Sequence, residues 1–388
     1  MTSAPHSPKR VALLGATGSI GRQVCDLVSR YPERFQLRTA VAGTDAAALE
    51  TIARRHPGVK TLLAHPEGAE EAAAARAVEE AMQDPEVDLV VVAAAGSAAL
   101  GPTLAALDAG KDLALATKEV LVMAGDLVRE RMRRHGSQLL PVDSEHSAIW
   151  QCLWGEQPGA LRKLILTGSG GPFLRRPVET FDSVTIGEAL THPRWKMGPK
   201  ITIDSATMMN KGLEIIEAHY LFEVPFDDIE VVVHPQSVVH SMVQFIDGSI
   251  KAQLGVPDMH LPIAIALAFP DRLPDVTVAP DLVEIGQLEF EGVDPHRYPA
   301  VVLAREAAGL GGTAPAILNA ANEEAVGLFL TGRLRFVDII PAVRSAVSAS
   351  PRNSEVSLQA VMQADAWARG YVREWRPGAH ARESKRPA

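Results

Sequence analysis

The stretch VALLGATGSIGRQV, Val11–Val24, decides the fold. Val11–Leu14 is apolar and reads as a short strand, and Ile20–Arg30 has the periodicity of a helix. Between them Gly15, Gly18 and Gly21 recur at every third position. Glycines there permit a tight turn and close backbone approach, and the helix N-terminus offers N–H groups to a pyrophosphate. The spacing is GxxGxxG rather than GxGxxG, so the loop alone is also compatible with a plain strand-to-helix turn. Its place at the first turn of a βαβ series favours a dinucleotide site.

That series runs outward from the loop. Gln36–Ala42 reads as a second strand, followed by an Ala-rich helix from Ala46. VDLVVVAAA, Val87–Ala95, is a near-continuous apolar run, as expected of a strand covered on both faces. Leu104–Ala109 is helical, Leu113–Ala116 a strand, Val120–Arg134 a long helix and Gln138–Val142 a last strand. The alternation predicts an α/β fold with a Rossmann-like, doubly wound parallel sheet, in which ligands bind outside the carboxyl ends of the strands. The second strand ends in Gly43, Thr44 and Asp45. No carboxylate stands at the strand end itself, which favours NADP over NAD, although Thr44 or Asp45 would equally serve as a helix cap.

The last strand runs straight into Asp143-Ser144-Glu145-His146. One reading is a helix N-cap followed by an acidic first turn. The other is a ligand site at a strand's carboxyl end. A second polar cluster lies in ITIDSATMMNKGLEIIEAHYLF, Ile201–Phe222. A helix beginning at Asn210 puts Asn210, Lys211 and Glu214 on adjacent parts of one face, beside an apolar stripe of Leu213, Ile216 and Tyr220. A surface Lys–Glu pair is the ordinary explanation. Ser205, Asn210 and Lys211 also form a set of two neutral donors and one cation that suits a phosphate monoester. Asp143, Glu145 and Glu214 would then make an all-oxygen site for Mg²⁺ or Mn²⁺.

Four segments are expected: 1–143 for the nucleotide, 144–270 as an α+β catalytic domain, a Pro-rich linker over 271–294, and a helical domain over 295–388. Within the second, Lys163–Thr167, Glu230–Val233, Val238–Phe245 and Ser249–Leu254 read as strands, the last two joined at Asp247-Gly248. Thr191–Lys200, THPRWKMGPK, is a Pro/Gly-rich basic segment, and the tail after Pro377 reads as disordered. The chain has 388 residues, 47% of them hydrophobic, and a net charge of −9 without a basic run, which argues against nucleic-acid binding. The two cysteines, Cys25 and Cys152, have no metal or disulfide spacing and fall in apolar helical patterns. No secretory signal or membrane-spanning run is read, so a cytoplasmic, membrane-free protein is expected.

Several long motifs carry a family resemblance: GATGSIG at Gly15–Gly21, TKE at Thr117–Glu119, PVDSEHSAI at Pro141–Ile149, LTGSGGPF at Leu166–Phe173, HPRWKMGPKITIDSATMMNKGLE at His192–Glu214, HPQSVVHSMVQFIDGS at His234–Ser249, and LNAANEEAV at Leu318–Val326. From Val11 to about Trp375 the chain resembles the 1-deoxy-D-xylulose 5-phosphate reductoisomerases. The resemblance implies a homodimer that uses NADPH and a divalent metal to turn a sugar phosphate into 2-C-methyl-D-erythritol 4-phosphate, in the non-mevalonate route to isoprenoids. It implies that Asp143, Glu145 and Glu214 bind the metal. Lys118 and Ser144 would touch substrate, and Ser169, His192, Ser205, Asn210 and Lys211 would bind it, several through its phosphate. Trp195 and Met197 would belong to a flap over the substrate. Thr17, Gly18, Ser19, Ile20, Gly43, Glu119 and Gly198 would contact the cofactor, together with Thr44, Asp45 and Thr117. Thr44 stands where relatives often carry a basic residue, and Thr117 replaces an Asn. The competing readings are an NADP dehydrogenase acting on an amino-acid semialdehyde, which needs no three-carboxylate metal site, and a nucleotide-sensing module without turnover.

Overall fold

The computed structural model describes residues 7–68, 70–195, 197–351, 353 and 356–377. Lys196 and the tail beyond Pro377, expected to be disordered, lie outside the described residues. Two compact units emerge. The first holds the described residues up to Val120, Gly125–Leu164 and Val238–Gly286, and the second holds Leu121–Ala124, Ile165–Ser237 and those from Gln287 onward.

The first unit is built on a sheet of β1 (Lys9–Leu14), β2 (Phe35–Ala42), β3 (Lys60–Leu63), β4 (Leu89–Val92), β5 (Asp112–Leu115) and β6 (Leu139–Pro141). The strands lie in the order β3-β2-β1-β4-β5-β6, and every pair is parallel. Strand order reverses between β1 and β4, so the glycine loop after β1 sits at the switch point where such sheets take ligands. All four residues of β4 are buried, as its unbroken apolar run requires. β3 and the helix Glu71–Met82 are further members of the alternation that the sequence reading did not assign.

The unit boundaries differ from the expected ones. The segment 144–164 stays with the parallel sheet, and the helix His260–Ala268 returns to it, packing Ile263, Ala264 and Leu267 into one core with Leu13, Leu27, Leu37 and Val91. The expected linker is docked in its first half. Arg34 Nη2 reaches Asp271 Oδ2 at 2.7 Å, Arg30 Nη2 donates to the Asp275 carbonyl at 2.8 Å, and Tyr31 Oη donates to the Pro274 carbonyl at 2.5 Å. Proline made this stretch irregular in backbone without making it free of the domain.

The remaining strands are β7 (Leu161–Gly168), β8 (Ile229–Val233), β9 (Val239–Phe245), β10 (Ile250–Leu254) and β11 (Glu291–Gly292), in the order β10-β9-β7-β8-β11. β9 and β10 form the expected antiparallel hairpin, and Gly248 turns it at φ +87°, a conformation glycine adopts without strain. In the second unit the helices Met209–Phe222, Pro299–Leu310, Ala314–Leu330, Ile339–Ala349 and Leu358–Glu374 enclose a core that includes Leu213, Ile216, Leu303, Ile317, Phe329 and Val343. The helix Pro199–Thr207 precedes them, started by proline in its first turn and separated from Met209–Phe222 by Met208 at φ 60°.

Candidate active site

The three loop glycines have different jobs. A Cβ on Gly15, at φ +93°, would lie 2.5 Å from the Ala93 carbonyl group, and one on Gly21 would lie 2.2 Å from the Gly15 oxygen. These two let β1, β4 and the helix Ser19–Arg30 converge. Gly18 has no contact tighter than 3.4 Å. It is exposed and stands at the N-cap, where it offers no side chain to the first helical N–H groups. Arg22 Nε donates to the Thr17 carbonyl at 2.8 Å and closes the loop beside Ser19 and Ile20. At the end of β2, Gly43 and Thr44 are exposed, while Asp45 accepts Ala48 N–H at 2.9 Å and caps the helix Ala46–Arg55. Thr117 is buried and donates its hydroxyl to the Ala94 carbonyl at 2.6 Å, tying the ends of β4 and β5 together. Glu119 opens the next helix, Glu119–His135.

At the end of β6 the capping reading of Asp143 fails. Asp143 occupies the N-cap of the helix Ser144–Leu153, yet its side chain makes no cap bond. Its carboxylate instead pairs with Lys118 Nζ, and the two residues are 9% and 5% exposed. A lysine and an aspartate this buried are stable only as a pair, because either charge alone costs several kcal/mol to desolvate. Ser144 Oγ donates to Glu145 Oε2 at 2.6 Å one residue on.

The second unit gathers the other polar residues. Glu214 is fully buried, and its two oxygens accept from Asn210 Nδ2 and from Lys211 Nζ, the latter at 2.6 Å. The predicted helical face is therefore present but turned inward, and the reading of a surface pair does not hold. The aliphatic stem of Lys211 runs under Gly168, where a Cβ would meet it at 3.2 Å. Gly170 and Gly171 follow at φ +80° and +66°, and a Cβ on Gly171 would lie 2.5 Å from the Ser205 carbonyl oxygen. Between Gly168 and Gly170, Ser169 Oγ lies 3.1 Å from His192 Nε2 and accepts Gly171 N–H at 3.1 Å. His192 Nδ1 accepts N–H groups from Trp195 at 2.9 Å and Arg194 at 3.2 Å. With Nδ1 an acceptor, the neutral ring carries its proton on Nε2 and donates it to Ser169. Burial, and secondarily the Lys211 charge, lowers the imidazole pKa from 6.5 to about 4, so the ring is neutral at ordinary pH. Met197 is half-buried, and Gly198 caps the helix Pro199–Thr207 by backbone alone.

Thus Lys118 meets Asp143 and Ser144 meets Glu145 in the first unit. Ser169 meets His192, and Asn210 and Lys211 meet Glu214, in the second. Sequence reasoning missed the clamp on the 168–176 loop. Tyr298 Oη donates to the Gly170 carbonyl at 2.7 Å, and Arg297 Nη1 donates to the carbonyls of Phe173 and Arg176 at 2.7 and 2.6 Å. No local pattern marks these two residues, which lie more than a hundred positions from the loop they hold.

Comparison with known proteins gives one answer along the chain. Residues 11–125 match the family model of 1-deoxy-D-xylulose 5-phosphate reductoisomerase, 139–222 match that of its C-terminal domain, and 254–371 match a DXP reductoisomerase C-terminal domain. A protein named 1-deoxy-D-xylulose 5-phosphate reductoisomerase from Geobacillus sp. (strain WCH70) is 47% identical over 386 residues, covering 94% of this chain and 99% of the relative. One of the same name from Heliobacterium modesticaldum is 48% identical over 381 residues, covering 94% and 97%. Among solved structures, the Zymomonas mobilis reductoisomerase in complex with NADPH superposes with a TM-score of 0.85 at 40% identity, covering 94% of this chain and 98% of that one. A reductoisomerase in complex with NADPH, fosmidomycin and magnesium gives 0.84 at 36% identity, covering 94% and 97%.

Proposed function

The chain belongs to the 1-deoxy-D-xylulose 5-phosphate reductoisomerase family, and from that premise we propose how its own side chains divide the reaction among them. It rearranges and reduces 1-deoxy-D-xylulose 5-phosphate to 2-C-methyl-D-erythritol 4-phosphate, using NADPH and a divalent metal. A semialdehyde dehydrogenase or a nucleotide sensor would not match this family over 94% of the chain.

The observation that carries the division of labour is the presence of two buried lysine–carboxylate pairs, Lys118 with Asp143 and Lys211 with Glu214. Each carboxylate is held out of water against a lysine. Such hard oxygen donors fit magnesium or manganese, and Asp143, Glu145 and Glu214 would hold the metal. When bound, the metal supplies a Lewis acid for the substrate's ketone and hydroxyl oxygens, and NADPH supplies the hydride. Lys118 and Ser144 then give their hydrogen bonds to the sugar's oxygens.

Lys211, Asn210, Ser205, Ser169 and His192 bind the substrate, chiefly its phosphate. His192 Nε2–H and Gly171 N–H both donate to Ser169 Oγ, so the serine's own proton is what it offers an anion. Trp195 and Met197 cover the substrate and keep water from the reacting carbons. The Trp195 N–H bond to His192 Nδ1 couples that cover to the serine beneath it. Thr17, Gly18, Ser19 and Ile20 cradle the NADPH pyrophosphate, with Gly43, Thr44, Thr117, Glu119 and Gly198 as further contacts. Asp45, spent on its helix cap, does little to repel a 2′-phosphate.

A homodimer in the cytoplasm completes the proposal. The exposed edge strand β10, with Ile250 at 53% exposure and Ile246 in the turn before it at 66%, offers a surface for a second copy. Among the described residues no helix is long and apolar enough to cross a membrane. The test follows NADPH consumption by its absorbance after adding 1-deoxy-D-xylulose 5-phosphate, with and without chelator. Turnover that needs metal and disappears in Glu214→Gln, with NADPH affinity kept, is expected. A Glu214→Gln enzyme with ordinary activity and metal affinity would refute the assignment.

A further inference from the structure

The helix Pro199–Thr207 joins two parts of the site. Its first turn follows the segment bearing Trp195 and Met197, and its last turn carries Ser205. One internal residue carries a charge. Asp204 is 1% exposed, and its Oδ1 accepts Asn322 Nδ2 at 2.8 Å from the helix Ala314–Leu330. Its Oδ2 pairs with Lys200 Nζ at 2.8 Å, one turn back along its own helix. Lys200 is 29% exposed and stands in the first turn, which contains no acidic residue. A cation there opposes the helix dipole. A carboxylate this buried also costs several kcal/mol to desolvate unless it is well paired. Leucine at 204 and glutamate at 200 would serve the helix better, so neither charge is explained by folding alone.

We propose that Asp204 is a positioning residue, a latch that holds Lys200 and with it the first turn next to Gly198. It thereby fixes the end from which Trp195 and Met197 reach over the substrate. The Asn322 bond anchors the latch to the helical core. Thr202 Oγ1, donating to the Gly198 carbonyl at 2.8 Å, ties down the same turn. Without the Lys200 pair the turn keeps the Thr202 tie but loses its charged hold, and ordering it fully again is charged to every substrate that binds. The loss then falls on substrate affinity, while the chemical step, once the site is covered, is little altered. The inference rests on the reading above that Trp195 and Met197 cover the substrate.

The experiment uses the full chain with NADPH and magnesium. It compares Lys200→Met, Asp204→Asn and the double variant for KM, kcat, NADPH affinity, fosmidomycin affinity and thermal midpoint. Lys200→Met leaves Asp204 its Asn322 bond, Asp204→Asn removes the buried charge itself, and the thermal midpoint shows that each variant compared is folded. A latch predicts that Lys200→Met raises KM for the sugar phosphate and Kd for fosmidomycin about tenfold, the scale of one lost charged hydrogen bond. It predicts kcat and NADPH affinity within about twofold of wild type, and a double variant no worse than the worse single one. A Lys200→Met enzyme with wild-type KM, or single effects that multiply in the double variant, overturns the latch. Trp195→Phe separates the two levels. If it leaves KM unchanged, the covering segment is misread and the latch falls with it. If it raises KM while Lys200→Met does not, the latch alone is wrong.

Discussion

Removing one partner of the Lys211–Glu214 pair should destabilise the metal-free enzyme by about 3–5 kcal/mol, and removing both should cost much less than the sum. At the observed 2.6 Å the attraction is roughly 6 kcal/mol for an effective dielectric constant of about 20. Desolvation of two buried groups cancels much of that in the intact pair. In Glu214→Gln the cancellation is lost. The amide still accepts one hydrogen bond, worth about 1 kcal/mol, but Lys211 keeps its ammonium at 5% exposure with no counter-charge from residue 214. Lys211→Met likewise takes the neighbouring cation from the Glu214 carboxylate, at 0% exposure, and leaves it the neutral Asn210 donor. The double variant removes both charges of the pair, so a coupling of about 2–3 kcal/mol is expected. Urea unfolding with chelator present, followed by circular dichroism, measures all four chains. Magnesium at a hundredfold its Kd should then add about 2.7 kcal/mol to wild type and nothing to Glu214→Gln. Either single variant as stable as wild type, or strictly additive losses, would refute the buried-pair reasoning.

Gly171→Ala should lose more than about 2 kcal/mol, from its positive φ and the 2.5 Å clash with the Ser205 carbonyl, and should raise KM, both read from unfolding and kinetics on one preparation. His192 has its pKa lowered from 6.5 to about 4, so in that window the unfolded chain takes a proton the folded ring refuses. Its contribution to stability is complete above pH 6.5 and is lost as pH falls toward 4, and His192→Asn should make the acid decline of the urea midpoint shallower. An unchanged slope would place the lowered pKa elsewhere. Wild type should prefer NADPH to NADH in kcat/KM, and Thr44→Arg should widen the margin by adding a bidentate phosphate partner. Asp45→Ala should cost about 1 kcal/mol as a lost helix cap and leave the cofactor ratio in place, whereas equal use of NADH by wild type would make Asp45 a ribose ligand.

What could be read from the sequence was what is local. The Gly15–Gly21 loop, the buried run in β4, the hairpin at Asp247-Gly248 and the face shared by Asn210, Lys211 and Glu214 each depend on neighbours within a few positions. Pro199 was a legible helix start, but Pro193 and Gly198 before it and the left-handed Met208 after it hid a nine-residue helix. The weakly patterned β3 and the alanine-rich helix Glu71–Met82 gave too little contrast to be assigned. The cap question at Asp143 was settled by Lys118, twenty-five positions away, and the hold on Gly170 by Tyr298. Those are tertiary facts with no period to betray them. So is the return of His260–Ala268 to the first sheet, which is why a boundary placed at 143 divides a single core.

That return also sets an order of events during synthesis. Lys9, in the first strand, gives its ammonium to the carbonyl of Leu267 at 2.7 Å, and the helix bearing that carbonyl closes the core of the first unit. A ribosome adding about 5–20 residues per second needs roughly 10–50 s to make the chain between those partners. For that interval the core that includes Val24, Leu27 and Val28 lacks Ile263, Ala264 and Leu267. The nascent chain should therefore depend on holding chaperones until that helix has emerged, and a chain cut at 143, which lacks it, should aggregate where the full chain folds. Pulse-labelled chains released at successive lengths would show protease resistance of the parallel sheet arriving late and in one step.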